Sequence, residues 1–307
     1  MYKRVVLPSL IVIILGISCK QDNFPVLKGP YLGQKPPGNK VEIFAPGIVC
    51  TPESADYGGH FSPDGRMFFF TRVEENNPGR LFFMEYKNNR WTKPEIVPFG
   101  HEVGDFESCF SPDGKKLVFV SSRSRPGETG DKEDFWIVEL IGGKWGKPYL
   151  LAENTDFGER RISPSLAKNG TLYFSGDYNK PGDKDIYRSK LVNGKYSEPE
   201  NLGPAVNTKY YEEHVYAAPD ESFILFDSYR PGIHGKSDIY ISFLKSDGTW
   251  SQAKNLGGAV NSEHYDWLPN VTPDGEYILF ARTISGKIDI YWVSAKIIKD
   301  LKPEELK

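Results

Sequence analysis

Residues that could bind a ligand recur at related places in a repeated segment of the chain. Seven residues before a recurring proline, four repeats carry a carboxylate: Asp56, Asp105, Glu212 and Asp266. Five residues before that proline stand Glu107, Glu159 and His214, and Trp267 directly follows one of the acids. If the repeats stand around a central channel, their equivalent positions converge at one opening of it. Carboxylates placed there can bind a cation or sugar hydroxyls. We therefore take these residues as the ligand-binding candidates.

Two interpretations of the four recurring acids stay open. They form a ligand-binding ring, or each caps backbone amides of the neighbouring repeat. Recurrence favours the structural role, because a ligand site need not repeat. A second recurring set is also expected to be structural. In it, an arginine that follows the second strand of a repeat pairs with the aspartate that opens the third strand. This set comprises Arg123, Arg230 and Arg282 with Asp134, Asp185, Asp238 and Asp289.

Residues that differ between repeats are better site candidates than residues that agree. Several residues near the acids have no counterpart in most repeats: Arg160, Arg161, Tyr210, Tyr211, His214 and Trp267. Aromatic rings beside carboxylates suit carbohydrate or peptide binding. Packing between loops is the alternative explanation.

Catalytic and nucleic-acid signatures are absent from the sequence. It contains no Gly-x-Ser-x-Gly, no phosphate-binding glycine loop and no His-Glu-x-x-His. The 38 basic and 41 acidic residues form no basic stripe, which argues against nucleic acid as a partner. We assign no catalytic residue and predict no cofactor, leaving open only a structural cation in the channel.

The elements that must position the candidates are five copies of one unit. The copies are FSPDGRMFFFTR, FSPDGKKLVFVSSR, ISPSLAKNGTLYFSGDY, AAPDESFILFDSYR and VTPDGEYILFARTI. Their prolines, 49 to 55 residues apart, are Pro63, Pro112, Pro164, Pro219 and Pro273. A period of this length is typical of a repeat architecture.

Each unit predicts four short strands, of which the second is a continuous apolar run such as Phe68–Phe70. A sheet with one wet face would alternate apolar and polar residues, so continuous runs require cover on both faces. Sheets that stand around a common axis provide that cover. The fold class is therefore all-β, a five-bladed β-propeller.

The last unit stops after its third strand, and its missing fourth strand is expected at the other end of the chain. The segment from Pro46 to Val49 matches Pro94–Val97 in the first unit. We therefore predict that the N-terminal strand completes the last blade, pairing near Ile290 and closing the ring. Cys50 and Cys109 lie beside apolar strand residues and are expected to be two separate buried thiols.

Together, the recurring motifs resemble a known family. Ser-Pro-Asp-Gly, Ser-x-Arg, Asp-Ile-Tyr, Gly-x-Trp-x-x-Pro and Asn-Leu-Gly-x-x-Val-Asn resemble the WD-like propeller repeat of TolB-type periplasmic proteins and many envelope lipoproteins. The resemblance covers nearly all of residues 41–295. It implies a binding or assembly module, but it is confined to the repeat, so the partners of TolB are not carried over.

The N-terminus predicts a lipid-anchored envelope protein. Lys3 and Arg4 precede a short apolar run, as in a secretory signal peptide over residues 1–18. The tetrad that ends at Cys19 resembles a bacterial lipobox, although its leucine, Leu15, lies one place early. We expect lipidation of Cys19 and a location in the outer membrane, on its periplasmic or external face. Residues 19–40 then form a flexible tether, 41–296 the propeller and 297–307 a charged, solvated tail.

Three functions remain in view. The first is a monomeric, non-catalytic module that binds a glycan, a peptidoglycan-associated partner or another protein. The second is a carbohydrate-active enzyme, a glycoside hydrolase or lyase that uses two carboxylates at the channel mouth. The third is a scaffold whose channel ion is purely structural. The binding module is our leading prediction, because a fold does not by itself confer chemistry.

Overall fold

The computed structural model describes residues 24–306, apart from 76, 102–103, 126, 128–131, 153–154, 156, 159, 179–183 and 232–233. The predicted signal peptide, the lipidation site Cys19 and the candidate Glu159 lie outside the described residues.

The first two blades each have a fourth strand in two pieces, interrupted next to Pro94 and Pro148. The chain begins with a 3₁₀ turn, Tyr31–Gly33, and strand β1, Glu42–Ile43. Blade one comprises β2 Ser54–Phe61, β3 Met67–Glu74, β4 Arg80–Lys87, β5 Arg90–Trp91 and β6 Glu95–Ile96. Blade two comprises β7 Asp105–Phe110, β8 Lys116–Ser121, β9 Asp134–Ile141, β10 Lys144–Trp145 and β11 Tyr149–Leu150.

The remaining three blades repeat the antiparallel order with small variations. Blade three comprises β12 Arg161–Leu166, β13 Leu172–Gly176, β14 Asp185–Ser189 and β17 Glu200–Asn201, with a separate hairpin of β15 Leu191–Val192 and β16 Lys195–Tyr196. Blade four comprises β18 Glu212–Ala217, β19 Phe223–Ser228, β20 Asp238–Phe243 and β21 Lys254–Asn255. Blade five comprises β22 Tyr265–Val271, β23 Tyr277–Ile284 and β24 Lys287–Ser294, completed by β1.

The blades close into a ring around an axis. Each first strand contacts the first strand of the next blade, and β22 returns to contact β2. Five apolar clusters fill the five junctions between blades. Phe68 and Phe70 face blade five, whereas Phe69 between them faces blade two. Both faces of the second strand are therefore buried, which confirms the predicted five-bladed propeller.

Ring closure is confirmed, but its register differs from the prediction. Glu42 and Ile43 pair with Trp292 and Tyr291, and the Phe44 amide donates to the Ile290 carbonyl at 2.8 Å. Residues 41–44, not 46–49, are thus the counterpart of 94–97. The prediction matched Pro46 with Pro94 because both are prolines, but the residue equivalent to Pro94 in this strand is Val41.

The five recurring prolines do not all occupy the same place in the structure, because the turn after the first strand lies elsewhere in the third repeat. In blade one the turn is Ser62–Gly65, closed by a bond from the Gly65 amide to the Ser62 carbonyl. In blade three the equivalent bond runs from Gly170 to Ala167. Pro164 lies inside β12, so it is not a turn proline.

Both ends of the described chain pack on the propeller. Leu32 is buried, and Trp91 donates from its amide to the Leu27 carbonyl and from its indole to the Gly29 carbonyl. These contacts lie within the segment predicted to be a flexible tether. The predicted solvated tail is instead a helix, α1 Lys296–Leu301, and a 3₁₀ turn, Glu304–Leu306, with apolar side chains on the core. Within the residues described, no helix is long and apolar enough to cross a membrane.

The two described cysteines are unpaired. Cys50 and Cys109 are both buried and neither forms a disulfide. This confirms the prediction of two separate thiols.

Candidate functional site

Each of the four recurring acids binds the linker, which is the segment that leads into the first strand of its blade. We call this arrangement a clamp. We call the face where these linkers enter the linker face. The carboxylates are almost wholly buried, and each bonds an arginine of the second strand or just after it. The pairs are Asp56–Arg72 at 2.7 Å, Asp105–Arg123 at 2.8 Å, Glu212–Arg230 at 3.1 Å and Asp266–Arg282 at 2.5 Å.

Linker backbone groups complete each clamp. The acids accept bonds from the amides of Thr51, His101, Thr208 and Ser262. The arginines donate to the carbonyls of Val49, Phe99, Val206 and Val260. These acids therefore hold the fold, as their recurrence suggested.

The predicted pairing of Arg123, Arg230 and Arg282 with third-strand aspartates is wrong. The arginines turn toward the axis and bond the first-strand acids instead. The aspartates have other partners, for example Asn201 for Asp185, Asn255 for Asp238 and Lys287 for Asp289. In blade three Arg161 occupies the acid position and bonds Asp134 of blade two at 2.9 Å.

Nearer the middle of the channel, every first strand has a β-bulge at the same position. The residue at the bulge has a positive φ in all five blades: Gly58, Glu107, Ser163, His214 and Leu268. We call these residues the bulge layer. A bulge re-aims a side chain and is common beside functional sites. A cavity of about 20 Å³ lies at this level, lined in part by Gly58, Glu107 and Leu268.

A buried acid–imidazole cluster is built on this layer. Nδ1 of His214 lies 2.9 Å from the Asp227 carboxylate, and Nε2 lies 3.7 Å from the Glu107 carboxylate. Glu213 lies beside them and bonds Lys184 at 2.6 Å. We call Glu107, Glu213, His214 and Asp227 the axial cluster. All four side chains are buried.

The electrostatics of the cluster favour a protonated imidazole. Burial by itself would lower the pKa of His214, but the negative charges of Asp227, Glu107 and Glu213 outweigh it and raise the pKa to about 9. Burial raises the pKa of Asp227 and of Glu107. The cluster therefore favours a protonated His214 between the carboxyl groups of Asp227 and Glu107.

The oxygen and nitrogen donors of Glu213, His214 and Asp227 lie within 4.8 Å of one another, a set that fits a divalent cation. A cation there would compete with the proton on His214, because an imidazolium has no lone pair to offer a metal. Lys184 already neutralises Glu213. The chemistry of the donor set thus fits the proton better than a metal.

Trp267 lies against the cluster from the linker face. Its ring centroid is 5.1 Å from that of His214 and 5.2 Å from that of Tyr57, and its indole nitrogen donates to Thr283 at 3.0 Å. The structure thus brings together Glu107, His214 and Trp267 from the candidate set. Tyr211 lies farther out, 42% exposed, against Tyr229.

On the opposite face the channel opens into a basin of about 950 Å³. We call this the turn face, because the turns Ser62–Gly65 and Ala167–Gly170 surround it. The basin extends into a groove between blades two and three, beside Tyr149 and Tyr196. Its rim carries the second residue of every turn: Pro63, Pro112, Lys168, Pro219 and Pro273.

The floor of the basin is a second layer of five equivalent residues, two positions beyond the bulge layer. They are His60, Cys109, Ser165, Tyr216 and Asn270, all of which line the basin. We call them the axial ring. No two are of the same type, so by the criterion of departure from repetition the ring is a site candidate. Of these five residues the sequence analysis named Cys109, as a buried thiol and not as part of a site.

Asp227 and Glu213 were not predicted as site residues, although the position of Asp227 in the sequence is unusual. Asp227 lies in the apolar run of blade four, where the other blades have Thr71, Val120, Ser175 and Ala281. A carboxylate in a strand that must be buried on both faces needs a charged partner. That partner is His214.

Neither a family model nor a curated protein sequence matches the chain. Among solved structures, TolB from Acinetobacter baumannii is similar over 80% of this chain and 55% of its own, with a TM-score of 0.51 and 14% identity. The chain thus spans about half the length of that relative.

Two further structures give the same picture. A putative TolB from Agrobacterium tumefaciens matches 80% of this chain and 78% of its own, with a TM-score of 0.51 and 19% identity. An endo-arabinase from Bacteroides thetaiotaomicron VPI-5482 matches 80% and 95%, with a TM-score of 0.52 and 15% identity. At such identities the likeness shows the fold alone. The chain is, in fold, a TolB-like β-propeller with five blades.

Proposed function

We propose that this protein is a non-catalytic binding propeller of the bacterial cell envelope and that its ligand, a glycan or a protein, enters the turn-face basin. The observation that carries the proposal is the contrast between the two ends of the channel. The acids of the linker face are engaged in clamps and a cavity of about 20 Å³ lies at the bulge layer, whereas the basin is open, holds about 950 Å³ and is lined by residues that differ between blades.

The chemistry of the basin supports binding rather than hydrolysis. A glycoside hydrolase needs two carboxyl groups on either side of the bond that it cleaves. Among the described residues that line the basin, the only carboxylate is Asp113. It accepts bonds from the Ser111 hydroxyl at 2.6 Å and the Lys115 amide at 3.0 Å, as the turn requires.

The envelope location rests on the N-terminal sequence. A signal-like run followed by Cys19 in a lipobox-like tetrad supports a lipid anchor. Metabolic labelling with a fatty acid tests this part directly. We expect the wild-type protein to carry the label and the Cys19→Ser variant to lose it; a labelled variant would refute the anchor.

A carbohydrate-active enzyme is the alternative, and one observation favours it. The axial cluster places Glu107 and Asp227 on either side of one imidazole, and burial raises the pKa of both carboxyl groups. Raised carboxyl pKa values are typical of general acids.

One experiment separates the two functions. Full-length protein is incubated with soluble polysaccharides and with envelope extracts, and both retention and new chain ends are measured. We expect saturable retention of a partner and no cleavage. Cleavage that disappears in Glu107→Gln would replace the binding proposal with the enzymatic one.

A further inference from the structure

On the turn face, four of the five junctions between blades are covered by large side chains or by the ends of the described chain. Trp145 lies in the junction of blades one and two, with its ring centroid 5.8 Å from that of Phe69. Trp250, 5% exposed, lies in the junction of blades three and four. Helix α1 packs on the junction of blades four and five, and the segment before β1 covers that of blades five and one with Leu27 and Tyr31.

Among the described residues, the equivalent place between blades two and three is open. The position that carries a tryptophan in the fourth strand of three other blades is Tyr196 here. The groove that runs from the basin into this junction has two exposed, largely apolar side chains, Tyr149 at 45% and Leu191 at 41%. Exposed apolar side chains that line one groove are typical of a protein interaction site.

The segment before β1 shows how an extended chain is held at such a junction. The Trp91 amide donates to the Leu27 carbonyl at 3.0 Å, and the Tyr31 hydroxyl donates to Oδ2 of Asp274. Trp91 belongs to the fourth strand of blade one and Asp274 to the turn of blade five, so the segment bridges the two blades that form the junction. Leu27 and Tyr31 pack on the apolar cluster beneath.

The groove between blades two and three has the same backbone donor, at Tyr196. Tyr196 pairs with Leu191 as Trp91 pairs with Tyr86 in blade one. The amide of the next residue, Ser197, closes the hairpin with a bond of 2.9 Å. Successive amides of a strand point to opposite sides, so the Tyr196 amide points away from the hairpin, where no described residue accepts from it.

The groove also has the second attachment point, at Asp113. This residue occupies the same turn position as Asp274, and in both turns Oδ1 accepts from a hydroxyl and from a backbone amide. Oδ2 of Asp274 accepts from Tyr31, whereas Oδ2 of Asp113 has no bonding partner within the described chain. The bonds from Ser111 and Lys115 lower the pKa of Asp113, so it is a carboxylate at neutral pH. Its negative charge favours a hydroxyl or a cation as the partner.

We propose that the groove between blades two and three binds an extended segment of a partner protein, held at Tyr196 and Asp113 as the segment before β1 is held in its own junction. This partner class rests on the proposed binding function and narrows it. The spacing of Leu27 and Tyr31 gives the expected pattern: an apolar residue, followed four positions later by tyrosine, lysine or arginine. Backbone bonds then supply affinity, and the two side chains supply specificity.

A carbohydrate suits this groove less well than a peptide. Leu191, Leu151 and Ile137 line it with aliphatic groups, which form no hydrogen bonds with sugar hydroxyls. An apolar side chain of a peptide can cover them and remove their surface from water.

The test uses the full-length protein and a library of ten-residue peptides on beads. One library fixes the expected pattern, and a second fixes the same residues with a different spacing. Retained peptides are then measured in solution by fluorescence anisotropy, and soluble envelope polysaccharides are titrated in parallel.

Two groove variants are each compared with a matched control. Leu191→Lys places a charge on the apolar wall; its control is Val192→Lys, at the next residue of the hairpin, which is 55% exposed and does not line the basin. Asp113→Asn removes the charge of the second attachment point. Its control is Asp64→Asn, in the blade-one turn, where Oδ1 accepts the same two bonds and the adjoining junction is filled by Trp145.

We expect peptides of the fixed pattern to bind, with a dissociation constant raised about tenfold by Leu191→Lys and several-fold by Asp113→Asn. Val192→Lys and Asp64→Asn should leave it unchanged. Circular dichroism checks that the variants are folded. The two groove variants are independent, so either one carries the test if the other does not fold.

Three results would overturn the proposed peptide site. Binding of a polysaccharide but of no peptide shows that the partner class is wrong while the binding function stands. Peptide binding that neither groove variant weakens, or that the controls weaken equally, shows that the peptide binds elsewhere. Equal retention of the two libraries excludes the bridge from Tyr196 to Asp113. If no peptide and no polysaccharide binds, the proposed function fails as well.

Discussion

Cys50 replaces an asparagine that two other blades use to hold the third strand. In blades three and four, the amides of Asn207 and Asn261 bond both backbone groups of Ile186 and Ile239 at 2.8–3.0 Å. At the same place in blade five, the Cys50 sulfur accepts from the Ile290 amide at 3.2 Å and lies 3.6 Å from its carbonyl oxygen. A thiol is a weak donor and a weak acceptor, so this junction is held less firmly.

This substitution predicts an asymmetry between two variants of Cys50. Cys50→Ala leaves the Ile290 amide without its partner, whereas the Ile290 carbonyl keeps the bond from the Phe44 amide; the loss should lower the free energy of unfolding by about 1–3 kcal/mol. Cys50→Asn supplies the stronger bonds of the other blades and should retain wild-type stability or exceed it. Urea unfolding measures both, and equal losses in the two variants would contradict the proposed equivalence.

His214 makes the stability of the protein depend on pH. Its pKa rises from 6.5 to about 9 on folding, so the folded state binds the proton more tightly. The stabilising contribution is complete below pH 6.5 and is lost as the pH rises through about 9. Raised pKa values of Asp227 and Glu107 also make the folded state bind protons more tightly, but their contribution begins to be lost at lower pH, above the ordinary carboxyl range.

We therefore expect the free energy of unfolding to fall between pH 6.5 and 9, by up to about 3 kcal/mol. His214→Gln should remove most of that fall. His264→Gln, at a half-exposed position, serves as the control and should keep it. Urea unfolding at a series of pH values gives the comparison; a wild-type curve that is flat across this range would exclude the imidazolium.

At the scale of the elements, one turn departs from the repeat. Four blades place a glycine at the fourth turn position, with φ between 68° and 87°: Gly65, Gly114, Gly170 and Gly275. Blade four places Glu221 there at φ 60°. The side chain of Glu221 accepts bonds from Tyr173 at 2.7 Å and Asn169 at 2.5 Å. The strain of a left-handed residue is thus offset by bonds to the neighbouring blade.

Two variants of Glu221 separate the strain from the bonds. Both Glu221→Ala and Glu221→Gly lose the contacts with Tyr173 and Asn169, but only alanine keeps a Cβ in the left-handed region. Alanine should therefore be the less stable of the two by about 1 kcal/mol. Thermal unfolding of the pair tests this, and the reverse order would be inconsistent with a strained turn.

The elements also show what the sequence could and could not predict. The apolar runs required cover on both faces, which predicted the blades. In the third repeat, Ile162-Ser163-Pro164 resembles the turn motif, whereas the actual turn has Lys168 in place of proline. The connection between the two strands, residues 167–171, is one residue shorter than residues 62–67 in blade one. The bulge layer had no signature, because Gly58, Glu107, Ser163, His214 and Leu268 share no residue type. The encounter of His214 with Asp227 follows from that layer and could not be predicted without it.

At the scale of the whole molecule, stability depends on joining the two ends of the chain. Phe44 is fully buried at the closure, in contact with Phe68 and Trp292. Its amide continues the short β1–β24 pairing. Without this junction, blade five would leave the edge of β24 unpaired, and such edges promote association.

Phe44→Ala should therefore lower the free energy of unfolding by about 3–5 kcal/mol and promote aggregation. Val26→Ala, at a residue that is 64% exposed, is the control and should have little effect. Thermal unfolding together with size-exclusion chromatography measures both properties. A loss of unfolding free energy well below this range would show that the ring stays stable without the packing of Phe44 at the closure.

The segment before β1, which packs on the propeller, restricts how the protein could be oriented on a membrane by the proposed lipid anchor. This segment crosses the turn face, from Trp91 to the blade-five turn, where Tyr31 bonds Asp274. If Cys19 is acylated, the five steps from Cys19 to Phe24 reach at most about 18 Å. With so short a connection, the turn face and its basin would lie toward the lipid headgroups. A sugar chain could then reach it only by running between protein and bilayer.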